Sequence, residues 1–308
     1  MPDELQARQP CCESSLEAGE PLFATASRVD VWLLLEHNAA WGAKALPESN
    51  IPDNLKTFLN QNLESIPNSR FQFIKQSGIM AGNPRFYVVR SLPENPAIYE
   101  FRLPIDDLLN LDISAVLAAS PQFQSNLFTA PLFLVCTNAK RDLSCARYGL
   151  PLYQAMSAHA GQSVWQTTHL GGHRFAGTMA VLPEGLYYGR VAPDDAENLV
   201  IEHRAGRVYL DHFRGHAIYD SPAQAAEHFL REHTGNLNIN DLRLLNLESI
   251  GENRWKVQVA IGAKTHTLQV SSYLSDFEIY ESTANTEKNR VTLYRLDSIE
   301  PGNVGLET

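Results

Sequence analysis

The chain has 308 residues, 44% of them hydrophobic and 19% charged, enough to build a packed core in two or three small domains or in one large domain with additions. A formal net charge of −10 leaves nothing to neutralise phosphates wholesale, so neither a nucleic acid nor an anionic membrane surface is an expected partner. The longest apolar runs, VWLLL and PLFLV, are too short to span a bilayer, and the N-terminal MPDELQARQPCCESS lacks the apolar core of a secretory signal. The expected compartment is the cytoplasm.

Residues 1–19 read as a polar tail. From about residue 20 the pattern turns strand-like with RVDVWLLLEH. A helical stretch, NLKTFLNQNLESI, follows, and then RFQFIKQ alternates at period two. PRFYVVRSLPENPAIYEFRLP is two strand-like runs about a Pro/Asn-rich turn. Together these predict a small α/β domain over residues 20–128.

The next segment opens with a buried strand, APLFLVC, then a helix over about 144–160 with an irregularity expected at Gly149–Pro151. SVWQTTH is a second strand, and GTMAVLPEGLYYGRV is a hairpin about Pro-Glu-Gly. DDAENLVIEHRAG has acids at its start, bases in its last turn and a glycine stop, as a helix dipole favours. A β-α-β unit followed by β-β-α is the thioredoxin-like arrangement, assigned to residues 129–235. Within it, Ser221, Pro222 and Gln224 predict a capping box and Gly235 a helix stop. Residues 236–308, including the hairpin RWKVQVAIGAKTHTLQV, are expected to be β-rich. No internal repeat or nucleotide-binding glycine motif is visible. The fold class is therefore α/β: a thioredoxin-like domain between a small α/β domain and a β-rich C-terminal segment.

Two pairs of residues carry chemistry. Cys136 ends one predicted strand and Cys145 follows as C-x8-C; His169 ends the next and His173 follows as H-x3-H. Parallel neighbouring strands would bring both pairs to one edge of the sheet, where open α/β folds place ligands. Two thiolates and two imidazoles complete a tetrahedral zinc site or ligate an iron–sulfur cluster. Singly, Cys136 reads equally well as a small buried residue, and a loop histidine as a local hydrogen-bonding group. HLGGH is not the H-E-x-x-H metalloprotease motif, the 23 residues from Cys145 to His169 do not suit a zinc finger, and there is no C-x-x-C dithiol. Spacing leaves zinc and a cluster both open. Cys11 and Cys12, in the polar tail, are expected to stand apart from the site.

CTNAKRDLSCARYGLPL and VWQTTHLGGHRFAGTMAVLPEGLYYGRV resemble the sucrase/ferredoxin-like family, closely over about 130–235. EPLFATASRVDVWLLLE and WGAKAL extend the likeness more loosely, and HNAAWG departs from the family's usual Pro-Gly-Pro-Trp-Gly. The resemblance implies a thioredoxin-like ferredoxin with a [2Fe–2S] cluster on Cys136, Cys145, His169 and His173. Two neutral imidazoles in place of thiolates would raise the potential and couple electron uptake to a proton. Gly171 and Gly172 would let the backbone approach the cluster. Lys140, Arg141 and Arg174 flank the site, where they could meet an acidic redox protein; Asp142 is a candidate cap for the Cys145 helix. An electron carrier is the leading reading, with a redox or cluster-status sensor, an oxidoreductase component fed from elsewhere, or a structural zinc protein as alternatives. The chain offers no convincing pair of catalytic carboxylates for sugar hydrolysis.

Overall fold

The structure, a computed structural model, describes residues 9–78 and 82–301. Its first element is the short helix α1 (Cys11–Glu17), within the segment expected to be a polar tail. In strand β1 (Val31–Glu36), Trp32 and Leu34 enter one buried cluster while Val31, Leu33 and Leu35 enter another. Alternation with both faces apolar is what a central strand needs.

Around β1 the first half assembles. Helix α2 (Asp53–Ser65) leads to β2 (Ser69–Lys75), parallel to β1; β3 (Arg85–Arg90) lies antiparallel on its other side and pairs with β4 (Ala97–Arg102). After the short helices α3 (Ile105–Leu108) and α4 (Ile113–Leu117), β5 (Leu127–Phe128) adds antiparallel to β4.

The second half repeats that plan. Strand β6 (Leu132–Cys136), helix α5 (Leu143–Ala160) and strand β7 (Val164–Thr167) form the parallel unit. Then β8 (Met179–Leu182) pairs antiparallel with β6, and β9 (Leu186–Tyr188) with β8. Helix α6 (Ala196–Arg204) precedes β10 (Phe213–His216), which pairs antiparallel with β9. The halves meet where β2 and β7 pair antiparallel at Ile74–Thr167 and Lys75–Gln166. The ten-stranded order β10-β9-β8-β6-β7-β2-β1-β3-β4-β5 is thus the same outward in both directions from that seam. Each half is a thioredoxin-like unit with a fifth strand, a repetition of topology that no repeat in the residues announces.

One face of this sheet holds a cluster common to both halves, with Trp32, Tyr87, Trp165 and Tyr187 at its centre. The opposite face is divided between a cluster under α2 and another containing Leu152 and Met156 of α5 and Leu199 of α6. Helix α7 (Ser221–Thr234) joins the sheet to the C-terminal part by setting Ala225, Ala226 and Leu230 against Val257, Val259 and Leu268. Those last residues belong to the antiparallel sheet of β11 (Leu242–Gly251), β12 (Arg254–Ile261), β13 (Lys264–Leu274) and β14 (Thr292–Glu300).

Two local expectations are corrected. Helix α5 runs continuously through Gly149–Pro151. A Cβ on Gly149 would fall 2.0 Å from the Cys136 carbonyl oxygen, so this glycine serves close packing on β6 and does not end the helix. The capping box at α7 does not form. Ser221 is already helical, and the Gln224 side chain turns away to accept from the Ala26 N–H at 3.1 Å and donate to the Ala26 carbonyl at 3.1 Å and to that of Tyr219 at 2.7 Å. Gly235 ends α7 at φ +67°, as expected.

Helix α7 also buries a charge network. Glu227, 2% exposed, accepts from Arg231 Nη2 at 2.9 Å and lies 2.7 Å from His216 Nδ1. Burial raises its carboxyl pKa, but His216 and Arg231 outweigh burial and hold it at about 2, below the ordinary 4.5. Its contribution, about 3 kcal/mol for a shift of that size, is complete above pH 4.5 and lost as pH falls through 2. Acid titration followed by denaturant melts should show that loss in the native chain. Glu227→Gln should remove the pH dependence in this window and, by stranding Arg231, cost about 3 kcal/mol or more at pH 7.

Candidate metal centre

The parallel register of β6 and β7, ending at Cys136–Thr167, brings the two carboxyl ends to one edge. Cys136 is the last residue of β6. After a five-residue turn, Asp142 caps α5 by accepting from the Ser144 N–H at 2.9 Å, which sets Cys145 in the first turn of the helix. From β7, Thr168 donates its N–H to the Phe73 carbonyl and delivers His169 beside the cysteines. His169 Nδ1 lies 3.8 Å from Cys145 Sγ and 4.0 Å from Cys136 Sγ, and all three donor atoms are within 4.8 Å of one another. The His173 ring is 5.0 Å from that of His169, centroid to centroid. The sequence-predicted residues Cys136, Cys145, His169 and His173 are therefore neighbours.

Cys136 and Cys145 divide one proton unequally. Donation from the Cys145 thiol, assisted by His169, draws Cys136 well below the ordinary thiol value. Cys145, the donor in that bond and itself buried, is pushed up. Together with the imidazoles, this is a soft and borderline donor set able to hold a metal ion.

The loop between the histidines is held from behind. Gly171 and Gly172 take φ +95° and +71°; a Cβ on Gly172 would fall 2.4 Å from Arg214 Nη2. Arg214, 1% exposed, donates to the Gly171 carbonyl at 3.1 Å. Arg70 and Gln72 donate to the His169 carbonyl at 2.8 and 3.2 Å. The glycines thus admit a guanidinium to the back of the loop, a role beyond the cluster approach expected of them.

Cys11 corrects the sequence reading. It is 0% exposed on α1, with Sγ 3.4 Å from His173 Nδ1 and 3.7 Å from Asp142 Oδ2, while His173 Nδ1 is 3.5 Å from that carboxylate. These donors also lie within 4.8 Å of one another and form a second Cys/Asp/His group on the outer side of His173. Cys12 is buried too, its Sγ 3.4 Å from Ser144 Oγ. From the C-terminal part, Thr283 donates its N–H and its hydroxyl to Asp142, both at 3.1 Å, and its Oγ1 accepts from the Cys11 N–H at 3.3 Å. The signal available in the sequence was two cysteines in a polar stretch; nothing there reveals partners 131 and 272 residues away.

The charges around His173 follow from this closure. Burial outweighs the attraction of Asp142 and lowers the imidazole to about 4, so His173 is neutral at physiological pH. Burial opposes ionisation of Asp142, but the Ser144 N–H, His173 and the Thr283 N–H together bring its carboxyl below the ordinary value. A neutral ring whose Nδ1 faces a carboxylate carries its proton there, leaving Nε2 as the donor for a metal. Burial pushes the Cys11 thiol up to about 11, which keeps it protonated. Of the flanking cations, Arg174 is paired with Glu20 at 2.8 Å, whereas Lys140 and Arg141 are exposed.

The profile of the sucrase/ferredoxin-like family matches residues 22–215. Curated relatives include altered inheritance of mitochondria protein 32 of Meyerozyma guilliermondii, 28% identical over 54% of this chain and 64% of that protein. The protein of the same name from Clavispora lusitaniae is 29% identical over 31% of this chain and 38% of its own length. That of Eremothecium gossypii is 30% identical over 28% of this chain and 26% of its own length. The matches thus span less than two thirds of each relative. No solved structure matches the chain. Among the described residues no helix is long and apolar enough to cross a membrane.

Gly172→Ala tests the loop. A left-handed backbone costs a residue with a Cβ about 1–2 kcal/mol, and displacing Arg214 adds to that. Denaturant unfolding should show a loss of at least that size, accompanied by lower metal content after purification.

Proposed function

The chain belongs to the sucrase/ferredoxin-like family, and we propose that it is a one-electron carrier holding a [2Fe–2S] cluster on Cys136, Cys145, His169 and His173. The observation that carries this reading is the convergence of Cys136, Cys145 and His169 donors within 4.8 Å, with the His173 ring alongside. Two sulfurs and two imidazole nitrogens suit such a cluster, which when bound supplies one-electron transfer.

The remaining parts of the site have definite tasks in this reading. Cys136 and Cys145 bring negative charge, and the neutral imidazoles bring none, which favours reduction. A midpoint in the range of about −150 to +300 mV is expected, above the roughly −400 mV of plant-type ferredoxins. Asp142 and Cys11 cover His173 Nδ1 and hold that ring in one tautomer. His169 is only half buried, its Nδ1 faces the cysteines, and its Nε2 has no hydrogen-bond partner among the described residues. That nitrogen is the one placed to exchange a proton with solvent as an electron arrives. Exposed Lys140 and Arg141 suit an acidic redox protein as partner. A reducing compartment, taken to be the cytoplasm, completes the proposal.

Iron, zinc and acid-labile sulfide measured on freshly purified protein separate this from the zinc reading of the same residues. About two irons and two sulfides per chain are expected, with visible absorption lost in His173→Ala. Zinc without sulfide, in protein made anaerobically from iron-replete cells, would overturn the carrier. Potentiometry should give a midpoint that falls by about 59 mV per pH unit wherever electron uptake carries a proton with it; a flat profile would remove the proton from the mechanism.

A further inference from the structure

Beside His169 lies a cavity of about 420 Å³, within the size range of about 300–1,000 Å³ typical of small-molecule sites. Lys44, Arg70 and Arg141 are its charged lining residues, and all three are cations in a chain of net charge −10. Leu46, Leu63 and Phe71 give it an apolar wall. The WGAKAL segment, to which the cluster ligands assign no task, supplies Lys44 and Leu46. It is tied to the turn after Cys136 by Asn138 Nδ2, which donates to the Gly42 carbonyl at 3.1 Å.

Arg70 is a fixed member of this lining. Its Nη2 donates to the His169 carbonyl at 2.8 Å and its Nη1 reaches Tyr187 Oη at 3.4 Å. Lys44 and Arg141 are exposed and free to close on an occupant. Cations converging over an apolar wall recognise a compact molecule with an anionic end and a carbon body. We propose that this cavity binds a small organic carboxylate against the His169 side of the metal centre.

An anion held there opposes the arrival of an electron at the neighbouring centre, so it binds the oxidised protein better. By linkage, reduction weakens its affinity by the same factor that its binding shifts the redox equilibrium. This electrochemical arm rests on the electron-carrier reading; the binding arm does not. A tenfold preference corresponds to a midpoint lowered by about 59 mV.

The test is calorimetric titration of the full chain, purified with its metal, using succinate and phthalate, with inorganic phosphate and a hexaglutamate peptide as comparisons. Saturable binding of a dicarboxylate is expected. It should weaken at least tenfold in Lys44→Gln/Arg141→Gln and change no more than about twofold in Lys140→Gln, a neighbouring cation outside the lining. Equal metal content and near-ultraviolet circular dichroism establish that the variants are folded. The proposal is overturned by no saturable carboxylate binding, by binding indifferent to the double substitution, or by binding of phosphate or hexaglutamate alone, the last pointing to an acidic protein surface. Carboxylate binding without a midpoint shift would leave the pocket standing and overturn its coupling to the centre.

Discussion

The parallel pairing of β6 with β7 is the constraint on which the centre depends. Parallel strands cannot be joined by a tight turn, so α5 must cross between them, and both chain reversals at the carboxyl edge become loops. One reversal carries Cys136 and Cys145 and the other carries His169 and His173. A slip of one residue in this register would turn Cys136 to the opposite face of the sheet, away from His169. The close contact of Gly149 with the Cys136 carbonyl resists such a slip by fixing α5 against the end of its strand.

The electrostatics are arranged around the same edge. Cations lie behind the histidine loop, where Arg70 and Arg214 donate to the carbonyls of His169 and Gly171. Arg214 forms no ion pair among the described residues; its guanidinium is stacked 5.0 Å over Phe175 and 5.5 Å over Tyr187. A delocalised cation tolerates such an apolar setting better than an ammonium would. On the outer side the sign reverses at Asp142. His173 faces that buried carboxylate and is kept neutral by its own burial.

The local and periodic features were readable from the residues alone. Strands β1–β4 and β6–β9, the α5 and α6 helices, and the placing of the Cys136 and His169 loops at one edge follow from alternation, helix spacing and the β-α-β order; β5 and β10 are too short to carry a pattern of their own. What escaped was non-local. Cys11 sits in CCESSLE, where no apolar periodicity marks a buried helix, and its burial depends on partners far along the chain. Gln224 had the spacing of a capping box, but the passing backbone of Ala26 offered its side chain better-placed donors and acceptors. The mirrored order of the ten strands also left no trace in the residues. Topology is set by which faces are apolar, and many different side chains satisfy the same pattern.

The closure over Asp142 has a consequence for how the protein matures. Cys11, Asp142, His173 and Thr283 meet in one place, yet Thr283 leaves the ribosome more than a hundred residues after His173. During synthesis the inner donors Cys136, Cys145, His169 and His173 are therefore complete while their outer cover is still missing its last piece. Thr283 then closes over Asp142 and the edge of α1. Chain order thus leaves the Asp142 carboxylate without two of its donors until the C-terminal part has been made.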